Sequence, residues 1–133
     1  MNSLNVSFEI ITNECSLNQI TNNLGFIPSA SSVDKGARIY KNKIADKTIW
    51  KIVSDNEEYK TVGDHLKDIF TDDFIEKLSK PDVLPRDCTL YLNVAVFYTE
   101  FGGSCSVLIP SEYLKLFNHY KLDIEISFYP CSE

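Results

Sequence analysis

Residues 89–99 read TLYLNVAVFYT, with Leu90, Leu92, Val94 and Val96 at every second position and Tyr91, Asn93, Ala95 and Phe97 between them. Successive side chains of a strand point to opposite faces, whereas a helix would scatter these four aliphatic residues around its circumference. A strand this long with one wholly apolar side needs hydrogen-bonding partners along its edges and a cover over that side. We therefore place it centrally in a sheet, and the remaining segments must supply its neighbours and its cover.

The amino-terminal segment has the same period. Leu4, Val6, Phe8 and Ile10 face one way, with Asn5, Ser7 and Glu9 facing the other. A third strand is expected from Thr48 to Ser54, with Trp50 and Ile52 on one side and Ile49 and Val53 on the other. Apolar residues on both of its sides imply a loop or helix over the second one. Arg38 to Asn42 reads as a short strand turned back by KNKIADK, and Asp123 to Phe128 as a closing strand in which Ile124, Ile126 and Phe128 alternate with Asp123, Glu125 and Ser127. Gly102-Gly103 supplies the positive φ angles of a tight hairpin, with Cys105 to Ile109 as the returning strand.

The cover comes from helices whose ends are written in the sequence. In CSLNQITNNLGFIP, Ser16 is placed to cap through its hydroxyl and Gln19 to reach back in a capping box. Leu17, Ile20 and Leu24 share a face, Gly25 suits the left-handed exit, and Pro28 blocks continuation. Every conspicuous residue of this stretch has a structural task, so it reads as a capped helix and not a ligand loop. Thr61 and Asp64 start a second helix with Leu66, Ile69 and Phe70 inward; Thr71 starts a third with Asp72 and Asp73 at its positive end and Phe74, Ile75 and Leu78 inward. Ser111 caps the last, which buries Leu114 and Phe117. The expected architecture is α+β: one domain over residues 1–133, a mainly antiparallel sheet of about six strands, and three to four helices on one face, in the order β-α-β-β-α-β-β-α-β.

The 133 residues are 44% hydrophobic with only five each of Gly and Pro, a composition that builds a packed core and not a disordered chain. The first ten residues alternate instead of running apolar, and no stretch approaches the roughly 20 apolar residues of a membrane span, so a cytoplasmic location is expected. With 19 acidic against 13 basic residues, the net charge of −6 opposes nucleic acid and anionic membrane and favours a basic partner.

Recognised reactive motifs are missing from the pattern. Cys15, Cys88, Cys105 and Cys131 form no CxxC pair and lie at no metal-ligand spacing from a histidine, which argues against zinc. His65 and His119 each sit on a helix without an arranged acid, and both read as surface or boundary residues. GGSCS, residues 102–106, lacks the G-x-S-x-G spacing of a nucleophile elbow, and the glycines match no phosphate-cradling loop. No cofactor and no catalytic centre is expected. The acids Glu57 and Glu58 beside Tyr59, in a connection whose own folding does not need them, form with Asp72 and Asp73 the candidate surface for a basic protein, since charge steers and aromatic anchors hold. The alternative is a small-molecule-binding or enzymatic domain with a pocket between the sheet and the polar loop 29–37 near Trp50, although the strand pattern around Trp50 favours a core position; a third reading is a structural subunit that self-associates through an exposed strand edge.

The amino-terminal strand, QITNNLGFIPSASSVDKG, the strand carrying TIWKI, the helix TVGDHLKDIF and the segment IPSEYLKLFNHYKLDIEISFY, in this order and spacing, resemble a bacterial family catalogued as domain of unknown function 4279. Lys121 departs from the resemblance, standing where a glycine is expected to close the last helix, which implies a less tightly turned exit there. The resemblance carries no established activity or catalytic residues. By analogy with small proteins of this kind it implies an immunity-type role, neutralising a basic toxin by occluding its cationic cleft.

Overall fold

A computed structural model of the chain describes residues 3–99 and 106–132. The elements are β1 (Ser3–Thr12), α1 (Leu17–Leu24), β2 (Arg38–Tyr40), β3 (Lys43–Ile44), β4 (Thr48–Ser54), α2 (Val62–Ile69), α3 (Asp72–Leu78), β5 (Thr89–Tyr98), a 3-10 turn (Ser111–Tyr113), α4 (Leu114–His119) and β6 (Asp123–Pro130). The fold is α+β, with the strand predicted from Thr89 in the interior of a four-stranded sheet of order β4-β1-β5-β6.

That sheet is mixed, which corrects the expectation of a single, mainly antiparallel sheet of six strands. β1 pairs antiparallel with both β4 and β5, whereas β5 and β6 run parallel in the register Leu92↔Ile124, Val94↔Ile126, Val96↔Phe128. The parallel step follows from the connection: a chain that leaves β5 and returns through a helical segment re-enters the sheet in its original direction. The expected returning strand Cys105 to Ile109 is not one, because residues 106–110 are irregular. The predicted Gly102-Gly103 turn lies outside the described residues. β2 and β3 form a separate two-stranded sheet, shorter than the Arg38 to Asn42 strand expected, so the element order also differs.

One face of the sheet is sealed. Val6, Phe8, Ile10, Trp50, Leu92, Val94 and Val96 are fully buried and form one cluster with Ile20 and Leu24 of α1, Leu66 and Ile69 of α2, Phe74 and Leu78 of α3 and Phe117 of α4. The helix ends obey local chemistry. Ser16 Oγ accepts the Gln19 amide (3.2 Å) while Gln19 Oε1 accepts the Ser16 amide (2.8 Å), and Gly25 closes α1 at φ 75°. Thr61 and Thr71 cap α2 and α3 through their hydroxyls, accepting the amides of Asp64 (3.1 Å) and Phe74 (3.2 Å). Ser111 does not cap as expected: it lies within the 3-10 turn that leads into α4, whose start has no side-chain cap.

Nor is the exit of α4 loosened by the absence of glycine. Lys121 itself adopts φ 53°, its amide bonds the Asn118 carbonyl (3.2 Å) and the Leu122 amide bonds the Phe117 carbonyl (2.9 Å), the paired bonds of a Schellman ending. A β-carbon in this left-handed conformation is strained, by about 1–2 kcal/mol, and glycine recovers most of that at an entropic cost of about 0.5–1 kcal/mol. Lys121→Gly is therefore expected to stabilise the fold by about 0.5–1 kcal/mol. Gly25→Ala, which meets no neighbour within 4 Å, is expected to destabilise it by about 1 kcal/mol through φ alone. Urea midpoints at unchanged slope measure both.

Candidate functional site

Because β1 runs against β4 and β5, and β6 runs with β5, the carboxyl ends of three strands meet the beginning of β1 at one end of the sheet. A cleft of ≈ 630 Å³ opens there between Leu4 and Asn5 of β1, Phe97 of β5, Cys131, and the loop residues Asp55, Glu57, Tyr59 and Lys60. Its apolar wall is reinforced behind Phe97, whose ring stacks on Tyr129 of β6 (centroids 5.3 Å, 23°).

The loop between β4 and α2 holds its shape through Asn56. The Asn56 side-chain carbonyl accepts the Glu58 amide (2.9 Å) and its backbone carbonyl accepts the Tyr59 amide (3.0 Å), an Asx-type turn that presents Glu57 and Tyr59 to the cleft. Lys60 donates its ammonium to the Glu57 carbonyl (3.1 Å), so the one cation of the lining among the described residues is engaged with the loop's own backbone.

Beneath Tyr59 lies a buried polar network. The Tyr59 ring meets His65 edge to face (5.2 Å, 84°); His65 Nδ1 is 2.8 Å from Ser54 Oγ, and Ser54 Oγ donates to Asp68 Oδ2 (3.2 Å). A hydroxyl carries one proton, so donation to Asp68 leaves Ser54 to accept from a protonated Nδ1. In this arrangement Nδ1 carries the proton, and Nε2, which has no partner among the described residues, is a bare acceptor. His65 is 0% exposed, which corrects the surface or boundary position expected for it, and Ser54 is 2% exposed. The serine is the middle link and is sealed from the cleft, so the arrangement braces Tyr59 and α2 against the end of β4; it is not the exposed nucleophile and oriented base of acyl transfer.

The structure divides the predicted surface. Glu57 and Tyr59 line the cleft and Glu58 is exposed on the same turn. Asp72 and Asp73 open α3, beyond the far end of α2, whose eight residues span about 12 Å. They complement the helix start there and do not join the cleft. Leu4, Asn5, Asp55, Lys60 and Phe97 were missed; they come from three separate strand ends, and only the order of strands brings them together. Trp50 is fully buried, donates Nε1–H to Thr21 Oγ1 (3.1 Å) and stacks on Phe74 (6.2 Å, 6°), so no face of its indole is open to a ligand. The 29–37 loop does not wall a pocket over it but is fastened along β4, through the Ser29 amide to the Lys51 carbonyl (2.8 Å) and reciprocal Val33–Ile49 bonds (3.0 and 2.8 Å). Cys15 and Cys88 are half-buried free thiols, burial pushing that of Cys88 up; Cys131 is free and exposed, and Cys105 lies outside the described residues.

Burial holds the His65 pKa below its usual 6.5, against the opposing charges of Asp64 and Asp68, a hydrogen bond with the Ser54 backbone and the charge of Asp55. The unfolded imidazole gains its proton near 6.5 and the folded one only at lower pH, so between those values the unfolded chain binds more protons and stability falls with falling pH. Asp87, held low by its hydrogen bonds from Thr12 and the Asn13 amide, titrates below this window. We expect the unfolding free energy to decrease between about pH 7.5 and 5.5, and the decrease to flatten in His65→Asn, which keeps a donor to Ser54 but does not titrate. Urea unfolding at several pH values tests this, and an unchanged slope in the variant would exclude His65 as its source.

Comparison with curated proteins and with solved structures yields no match. The model of the family described as Domain of unknown function (DUF4279) matches residues 2–130, nearly the whole length, and the chain belongs to that family.

Proposed function

We propose that the protein is a non-enzymatic binding module that takes a basic segment of another protein into the cleft at the carboxyl ends of β4, β5 and β6. In its most specific form the partner is a basic toxin, neutralised because this body covers the toxin's cationic cleft. The observation that carries the reading is the lining itself: two carboxylates, Asp55 and Glu57, beside the aromatic rings of Tyr59 and Phe97, with Lys60 engaged by the loop backbone. Carboxylates attract an arginine or lysine side chain, and an aromatic face holds its cation at close range. The net charge of −6 adds long-range attraction for such a partner. Tyr59, fixed from below by His65, loses little freedom on binding, which favours it as the anchor.

The alternative, a small-molecule site near Trp50, would not use the indole, which is buried; the loop residues Asp34 and Lys35 instead border a cleft of ≈ 350 Å³ with Ser16, Gln19 and Thr48. Among the described residues, no helix is long and apolar enough to cross a membrane, and no group of three or more His, Cys, Asp or Glu side chains is arranged to hold a metal ion.

Co-expression and co-purification with the product of the neighbouring gene is the direct experiment. Complex formation is expected to weaken about tenfold or more when Glu57 and Glu58 are both replaced by Lys, and to weaken again as salt rises from about 50 to 300 mM. The Asp72→Lys, Asp73→Lys pair, at the far end of α2, is expected to change affinity less than threefold, roughly the effect of screened long-range charge. Affinity indifferent to both salt and the Glu57 and Glu58 replacements would refute the cleft as the binding surface.

A further inference from the structure

The two edges of the sheet are treated differently by the chain. Along the outer edge of β4 the 29–33 segment satisfies the backbone in turn: the amides of Ile49, Lys51 and Val53 donate to the Val33 carbonyl (2.8 Å), Ser32 Oγ (2.9 Å) and Ser29 Oγ (2.9 Å). β6 is the opposite edge, and among the described residues no strand pairs with its outer side. It also extends the sealed face of the sheet beyond its cover. Ile124, Ile126 and Phe128 continue the rows of Leu92, Val94 and Val96, yet they are 39%, 40% and 53% exposed where their neighbours in β5 are 0%. An open edge with an apolar row on one side is a template for another strand.

The residues of β6 specify which strand. From Asp123 to Tyr129 the segment reads acid, apolar, acid, apolar, hydroxyl, apolar, hydroxyl. Antiparallel pairing of β6 with the β6 of a second copy, about a two-fold axis at Ile126, sets Ile124 against Phe128 and Ile126 against Ile126 on the apolar side. On the other side the same register sets Glu125 against Ser127 and Asp123 against Tyr129. Each acid then faces a hydroxyl donor and no acid faces an acid, which a chain of net charge −6 must achieve if it is to meet itself. An axis one residue earlier would oppose Glu125 to Glu125. Ser127 Oγ donates to Glu125 Oε1 within its own strand (3.2 Å), and on pairing its one proton can turn instead to the Glu125 of the second copy.

We propose that the protein forms a two-fold homodimer through β6, joining two four-stranded sheets into one continuous sheet of eight. The seam uses the edge of β6, whereas the proposed partner-binding residues Glu57 and Tyr59 lie on the loop after β4, at the opposite edge; the two meet only at Tyr129, which closes the seam and backs Phe97 of the cleft.

Sedimentation equilibrium of the full chain, from about 1 to 200 µM, is expected to show a mass rising to twice that of one chain. Ile126→Lys, which brings two ammonium groups together at the axis, is expected to hold the protein monomeric throughout, while Ile126→Val keeps the dimer. Ser127 reads the register: Ser127→Glu opposes Glu125 and weakens association at least tenfold, whereas Ser127→Lys pairs with Glu125 and tightens it. Circular dichroism melting of each variant confirms that its fold is kept, as expected for side chains at an exposed edge. A monomer at every concentration, or a dimer that survives Ile126→Lys in the folded protein, would overturn the proposal. A dimer weakened by Ser127→Lys would overturn this register.

Discussion

Phe74 is the contact through which the layers of this protein are joined. Fully buried on α3, its ring stacks on Trp50 of β4 and meets Phe8 of β1 (5.7 Å) and Phe26 (5.0 Å) edge-on, with Phe70 at 6.1 Å. One side chain thus touches the sheet, the exit of α1 and the end of α2. Burying a ring of this size contributes about 1.5–3 kcal/mol, and the edge-to-face partners add to that. The larger consequence is geometric. With α3 pinned by Phe74 and the end of α2 pinned by Phe70, the start of α2 has little choice of position, and it is there that His65 meets Ser54 and supports Tyr59. The cleft is shaped by a wedge at the other end of the helix.

Two of the polar clusters in this body each have their own device. Around His65 the network is closed by Ser54 and Asp68 and keeps a neutral imidazole, whose Nε2 lone pair has no partner among the described residues. On the uncovered face of the sheet, Ser7 donates to Glu9 (3.2 Å) and the Tyr91 phenol is pushed up to about 12, first by its hydrogen bond to Glu125 and further by burial and the nearby charges of Glu9 and Asp123. Tyr91 stays a neutral donor because ionising it would place a fourth negative charge among those acids. The acidity of the chain is thus built into hydrogen-bonded rows along this face and left open at the cleft, where Asp55 and Glu57 stand beside aromatic rings.

Much of this was legible in the residues. The alternation from Thr89, the box of Ser16 and Gln19, the turn at Gly25 and the caps at Thr61 and Thr71 are local rules, read within a few residues of one another and satisfied there. Two failures share a cause. Residues 106–109 were expected as the strand returning from a glycine hairpin but find no ladder, and Ser111 has the chemistry of a cap but sits inside a 3-10 turn; in both cases the long-range crossing from β5 to β6 overrode a short-range preference. His65 misled for a related reason. On the helix alone it looks peripheral, and its burial depends on Ser54 from β4 and on the Tyr59 ring.

By itself, the sequence determined the four strands of the main sheet and the helices that cover it, where most of the helices begin and end, which side of most segments is apolar, and the sign of the charge the molecule shows at a distance. These follow from periodicity, capping chemistry and counting, all of them properties of neighbouring residues. The tertiary structure decided that β6 runs parallel to β5, that Glu57 and Tyr59 face Phe97 across a cleft while Asp72 and Asp73 stand apart, and that, among the described residues, one sheet edge is closed and the other open. Such matters turn on which strand lies beside which, and strand order is chosen by packing between residues far apart in the chain, for which the local pattern holds no record.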